Sequence, residues 1–228
     1  LHDALPIYFR TDKGFVSGNM APASKRAVTS GYMATSGWGS NGGTVDTPLQ
    51  TVNYASCHDN YTLFDNLTVD VMDAAGCTAA EAAPQAAAMN NLAAAYYITA
   101  QGIPFIHAGE EMLRSKPDAQ QEHGFNHNSY ASGDEINSIK WAALQEDLVR
   151  TSHNYYQGLI AFRKAHPALR LTQKSDIIAA LTDEMTDNNN LVVMVNNGAG
   201  LEGSIVSVFN ADAEAQTVTL PEGKWNVC

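Results

Sequence analysis

His58 and Asp59 stand side by side in the polar tip Ser56-Cys57-His58-Asp59-Asn60, which follows a short β-prone run at residues 51–56. An imidazole and an ionised carboxylate at the end of a strand can both face a cleft, where they can hold hydroxyls and stabilise positive charge. Alone, a His-Asp dipeptide is ordinary loop polarity. Its position gives it meaning, because in a (β/α)8 barrel the catalytic groups stand at the C-terminal ends of strands. A second cluster comes later: Glu110, Glu111, Arg114, Lys116, His123, Asn126, His127, Asn128, Ser129, Tyr130, Asp134 and Asn137. Amides, carboxylates and an aromatic ring at this density suit a ligand covered in hydroxyls, each of which donates and accepts. A sugar is the natural candidate, with a solvated loop as the alternative for most of these residues taken singly. His123 and His127, near Glu122, also admit a metal reading, but there is no HExxH pattern or cysteine ligand, and no metal or cofactor is expected.

Several elements must carry these residues. The first fifty residues are rich in Gly, Ser and Thr and read as loop. Helical spacing of Leu63, Phe64, Leu67, Val71 and Met72 predicts a helix over 61–72. A second helix begins with Pro84 in its first turn, buries Met89, Leu92, Ala93, Tyr96, Tyr97 and Ala100, and stops at Gly102 and Pro104. At that spacing Met89, Tyr96 and Tyr97 read as core packing, not as a ligand stripe. The apolar run 103–108 follows, with the character of a parallel strand buried on both faces. A third helix spans 147–166 and ends at Pro167. Beyond it, 176–181, 191–196, 204–210, 216–220 and 224–228 are strand candidates separated by turns, one of them the mobile Asn188-Asn189-Asn190. The expected fold class is therefore α/β, with a boundary near residue 170: a βα part over 1–170 and a small antiparallel β domain over 171–228.

Composition narrows the partners. The chain has 228 residues, 45% of them hydrophobic, with 13 Lys+Arg against 24 Asp+Glu and a net charge of −11. That balance disfavours a nucleic-acid partner. The longest apolar stretch, 92–98, is far short of the roughly 18–20 residues that span a bilayer, so no membrane partner is expected. Cys57, Cys77 and Cys228 are too scattered to suggest a disulfide framework or zinc site. The compartment, cytoplasm or exterior, stays open. Trp38, Trp141 and Trp225 lie far apart, and their spacing does not choose one of them to stack on a sugar.

The run Val52-Asn53-Tyr54-Ala55-Ser56-Cys57-His58-Asp59-Asn60, continued by Tyr61-Thr62-Leu63-Phe64-Asp65, resembles the fourth characteristic region of glycoside hydrolase family 13 in its type I pullulanase form. Gln101-Gly102-Ile103-Pro104-Phe105-Ile106-His107-Ala108-Gly109-Glu110-Glu111 is similar to that family's eighth barrel strand. Leu113-Arg114-Ser115-Lys116, His127-Asn128-Ser129-Tyr130 and Gly133-Asp134-Glu135-Ile136-Asn137 resemble the loop that follows it. Leu220-Pro221-Glu222-Gly223-Lys224-Trp225-Asn226-Val227 resembles its C-terminal β domain, and Lys13-Gly14-Phe15-Val16-Ser17-Gly18 fits the segment before the fourth region. The resemblance implies the C-terminal portion of a (β/α)8 TIM barrel followed by a small, incomplete antiparallel β-sandwich. It also implies retaining hydrolysis of α-1,6-glucosidic bonds in pullulan, glycogen and other branched α-glucans. In such enzymes a nucleophile and an acid stand about 5 Å apart across an oxocarbenium-like transition state. Carried over, Asp59 is the transition-state stabiliser and His58 bonds the same sugar. Asn60, Arg114, Asn128, Tyr130, Asp134 and Asn137 become substrate contacts.

The nucleophile motif, of the form G-F-R-F-D, and the acid motif, of the form G-E-x-W, do not occur in this sequence, and Phe9-Arg10-Thr11-Asp12 does not fit the first. Residues 1–7 resemble nothing in the family. The expectation is a fragment lacking the N-terminal part of its parent and inactive on its own. The alternatives are a non-catalytic α-glucan-binding module, or another member of family 13 such as isoamylase or α-amylase.

Overall fold

The computed structural model describes residues 13–18, 22–34, 45–184 and 186–228. Trp38, residues 1–12 and most of the glycine-rich stretch lie outside them. The helices are α1 (Pro22–Tyr32), α2 (Leu63–Ala75), α3 (Ala79–Thr99), α4 (Asp134–Asn137), α5 (Asp147–Ala165) and α6 (Lys174–Ala180). The strands are β1 (Val52–Asn53), β2 (Ile103–Pro104), β3 (Leu181–Asp183), β4 (Leu191–Asn196) and β5 (Ile205–Asn210). β1 and β2 pair in parallel, Val52 opposite Ile103, with α2 and α3 as the crossover. β3, β4 and β5 form an antiparallel sheet in that order. This is an α/β fold with two separate sheets.

Local chemistry explains most boundaries. Thr62 caps α2 by accepting from the Asp65 N–H at 3.1 Å, and Gly76, at φ 63°, ends it. α3 starts at Ala79 and not near Pro84, because Thr78 and Glu81 form a reciprocal capping box one and a half turns earlier. Pro84 therefore lies inside the helix, on an exposed position where its missing N–H leaves one bond unmade. The far end of α3 is capped from α5: Arg163 donates to the Ile98 and Ala100 carbonyls at 2.9 and 2.6 Å, and to Gly102 at 2.8 Å. Gly102, at φ 88°, cannot be replaced without strain, since a Cβ there would meet the Thr51 carbonyl at 2.9 Å. That close approach lets β2 align with β1.

Five further expectations need correction. The first fifty residues contain α1, whose Val28 and Tyr32 are buried at i and i+4. Residues 103–108 pair over only two positions, and Ile103 and Phe105 are partly exposed, because among the described residues no further strand flanks the pair. Residues 174–180 are a helix, with Ile177 and Ala180 buried one turn apart, and only 181–183 form a strand. Residues 216–228 make no ladder and are mostly exposed. The Asn188–Asn190 turn is also tied down: the Asn188 side chain donates to Asp212 at 2.6 Å and the Asn188 carbonyl accepts from Lys25 at 3.1 Å, while the Asn190 side chain also donates to Asp212.

One apolar cluster joins the helices to the antiparallel sheet, taking Phe15, Tyr32, Leu67, Tyr96, Tyr97, Tyr156, Ile177, Val192, Met194 and Phe209. Tyr32, Tyr96 and Phe209 meet edge-on or tilted, with ring centroids 5.5–5.6 Å apart. Tyr96 and Tyr97 are thus core residues, as their spacing indicates.

Candidate functional site

Because β1 and β2 run in the same direction, the chain segments after both strands emerge at the same end. There they enclose a cleft of about 610 Å³, lined by His58, Asp59, Asn60, His107, Arg114, Lys116, His127, Asn128, Ser129, Tyr130 and Asn137. Seven of the eight residues to which the family resemblance assigns a role meet here, His58, Asp59, Asn60, Arg114, Asn128, Tyr130 and Asn137, together with Lys116, His127 and Ser129 of the second cluster. Asp134 does not. It opens α4, and its carbonyl accepts from Ser138 at 2.5 Å and Lys140 at 2.9 Å, outside the lining. Neither Trp141 nor Trp225 lines the cleft.

His58 and Asp59 form a contact of 3.1 Å, with side chains 84% and 73% exposed. A charge so open to water interacts weakly until a ligand covers it. The rest of the lining is more firmly built. Arg114 donates to the carbonyls of Ala108 at 3.1 Å and Asn137 at 2.6 Å, and lies 3.3 Å from His107 Nε2. The Asn137 amide donates to Ser129 and Ser132 carbonyls at 2.8 and 2.9 Å, leaving its oxygen for a ligand. Tyr130 is 87% exposed, its ring free to cover a sugar face. His127 packs edge-on against Tyr61 at 5.7 Å. His123 meets Asp73 at 3.2 Å instead, so the two histidines do not converge on a common point.

His107 belongs to the site, although the sequence reading counts it within an apolar strand. Burial, then the charges of Arg114 and Lys116, push its imidazole down to about 4, so it is neutral at pH 7 and can accept one hydrogen bond and donate another. Only the break in apolar character between Ile106 and Ala108 could have signalled it.

Beneath the cleft lies Glu110, buried, which accepts from Ser56 at 2.6 Å, Tyr97 at 2.6 Å and Tyr156 at 3.0 Å. Burial raises its carboxyl above the ordinary range, and the three hydroxyls oppose that shift. This network joins the start of the 56–60 tip to α3 and α5. Asp65 is the other buried carboxylate. It accepts from the Lys116 N–H at 2.8 Å, and burial pushes its carboxyl up to about 6 against bonds from Ser115, Lys116 and Thr62. Burial also lowers the Lys116 ammonium, opposed by the charges of Asp65 and Asp59. The cleft can bind hydroxyls with imidazole, amide, carboxylate and guanidinium groups around one exposed aromatic ring.

No family model matches the chain. It is 35% identical over 164 residues, 72% of its length, to a pullulanase of Bacillus subtilis. Over 142 residues it is 36% identical to the chloroplastic pullulanase 1 of Arabidopsis thaliana. The chain spans 20% and 13% of the length of these two relatives. In structure it resembles the Paenibacillus barengoltzii pullulanase solved with maltohexaose and α-cyclodextrin, at a TM-score of 0.76 and 32% identity, over 92% of this chain and 30% of that one. The Bacillus acidopullulyticus pullulanase gives 0.75 at 30% identity, over 93% of this chain and 24% of the other.

Proposed function

We propose, from the premise that this chain is homologous to the pullulanases over most of its length, that it is the part of a retaining, pullulanase-like glycoside hydrolase that holds the glucose next to the scissile α-1,6 bond. The observation that carries this reading is the placement of His58 and Asp59 on one cleft with Asn128, Tyr130 and Asn137, at the end of a parallel strand pair. The substrates are branched α-glucans such as pullulan and glycogen.

In this reading β1 and β2 are neighbouring strands of a (β/α)8 barrel, and residues beyond about 170 begin a β domain that shares an apolar cluster with α1, α3 and α5. Asp59 accepts from sugar hydroxyls in the ground state. As the glycosidic bond stretches and the ring becomes oxocarbenium-like, the fixed negative charge gains attraction, so it favours the transition state over the substrate. His58 shares the sugar hydroxyls and orients Asp59 through their 3.1 Å contact. Asn60, Arg114, Asn128, Tyr130 and Asn137 hold neighbouring glucose units. The nucleophile and the acid have no counterpart among these 228 residues, so the isolated chain does not turn over.

The test measures reducing ends released from pullulan. The purified 228-residue chain should match a buffer blank, and turnover that disappears in Asp59→Ala would overturn the inactive-segment reading. In a full-length enzyme carrying this segment, Asp59→Ala should lower kcat by about a hundredfold or more while the protein stays folded. A near-normal rate would remove the role assigned to Asp59.

A further inference from the structure

We infer that Lys116 is a positioning residue that fastens the two walls of the cleft to each other, and so fixes where Asp59 stands relative to Asn128 and Tyr130. The linkage itself is independent of the ligand; its use in glucan binding rests on the function proposed above.

Lys116 is 4% exposed, although it lines the cleft. Its backbone is clamped on both sides. The N–H donates to Asp65 Oδ2 at 2.8 Å, and the carbonyl accepts from the Asn126 N–H at 2.8 Å. The next residue, Pro117, bridges to Phe125. Asp65 is itself fixed, fully buried in the first turn of α2, with its own N–H on Thr62. The side chain of Lys116 therefore leaves from an anchored point.

Its ammonium spans the cleft's two walls. Nζ donates to the carbonyl of Asn60, the residue after Asp59, and to Ser129 Oγ at 3.2 Å. Asn60 sits at φ 62°, a left-handed conformation that asparagine enters more readily than other non-glycine residues but that still needs support to stay fixed in one turn. An ammonium on its carbonyl supplies that support and sets the turn that presents Asp59. Ser129 stands between Asn128 and Tyr130, so the same cation sets their height on the other wall. A buried ammonium left without both acceptors would be costly, and each of its two bonds holds one wall to the anchored stem.

Hydrogen exchange on the 228-residue chain tests the linkage. Lys116→Met keeps the aliphatic stem and removes the ammonium. Amides of residues 58–61 and 127–131 should then exchange faster together, by about tenfold or more, while those of β4 keep their wild-type rates. Acceleration of one wall only, of neither, or of β4 equally would overturn the linkage. Ser129→Ala removes a single arm and should speed exchange in 127–131 alone; unchanged exchange there would count against it, whether or not the Lys116 variant folds. Maltotetraose is then added at millimolar concentration. It should slow exchange in both walls of the wild type and lose that effect in Lys116→Met. A wild type that gains no protection from the sugar would overturn the glucan reading while leaving the linkage to be judged by the sugar-free rates.

Discussion

Asp65 shows how a single buried carboxylate ties the site to stability. Its carboxyl lies at about 6 when folded, against an ordinary value of 3.8. The folded state therefore binds more protons than the unfolded state between those values, and folding weakens as pH rises through that window. His107 acts in the opposite sense: folded at about 4 against 6.5, it removes stability as pH falls from 6.5 towards 4. Comparing the wild type with Asp65→Asn cancels the histidine contribution. The unfolding free energy of the wild type, minus that of Asp65→Asn, should fall by roughly 2–3 kcal/mol between pH 4 and pH 7 in urea titrations. A difference that stays constant, or rises, would show that Asp65 is not the group responsible. At this scale the sequence was informative about residue type and silent about partners. His58-Asp59 and the cluster that includes Lys116 announced themselves by density, whereas what Lys116 does is invisible until Asp65, 51 positions earlier, is seen to hold its backbone.

α3 carries a conflict between its start and its interior. Its capping box satisfies early backbone donors, but exposed Pro84 then interrupts the hydrogen-bond ladder at the Ala80 carbonyl. Pro84→Ala should raise stability by about 1–3 kcal/mol, and Thr78→Ala should lower it by about 1 kcal/mol, both measured by thermal or urea melts. A Pro84→Ala chain that is less stable would mean the proline ring packs in a way its exposure does not suggest. The same helix shows why boundaries misread. Proline is at home in a first turn, so Pro84 pulls the predicted start forward, while Thr78-Ala79-Ala80-Glu81 carries the true start signal. α5 is legible because its stripe and Pro167 agree. α6 is not: Ile177 and Ile178 favour a strand locally, and burial of Ile177 with Ala180 against the core decides for helix. In α1 the Ser, Thr and Gly content hides a stripe of only Val28 and Tyr32.

Across the whole molecule, the core reaches from Phe15 to Phe209 and goes little further. Residues 216–228 have strand-like alternation in Thr217-Val218-Thr219-Leu220 but no ladder, and Val227 is fully exposed. Ending the chain after residue 215 should therefore shift the melting temperature by less than about 2 °C, as followed by circular dichroism. A larger drop would show that the segment contributes packing that its exposure conceals. The sequence reading places the two sheets correctly in order and strand direction. It could not show that the antiparallel sheet shares one core with α1, α3 and α5, because no periodicity within a segment records which distant segment covers it.

That shared core imposes an order of events. Lys25 bonds residues 186 and 188, and Tyr32 meets Ser207 and Phe209, partners more than 160 positions away. During synthesis α1 emerges before β4 and β5 and its contacts with them are made only once they have left the ribosome. In pulse-labelled refolding, the amides of residues 25–32 should gain protection in step with those of 191–210, later than the α2–α3 hairpin. Protection of α1 at the same early time as α2 would show that the hairpin alone can hold it. In that order of events the aromatic contact among Tyr32, Tyr96 and Phe209 is the last joint to close, and its closing time sets how long the nascent chain carries an uncovered apolar face.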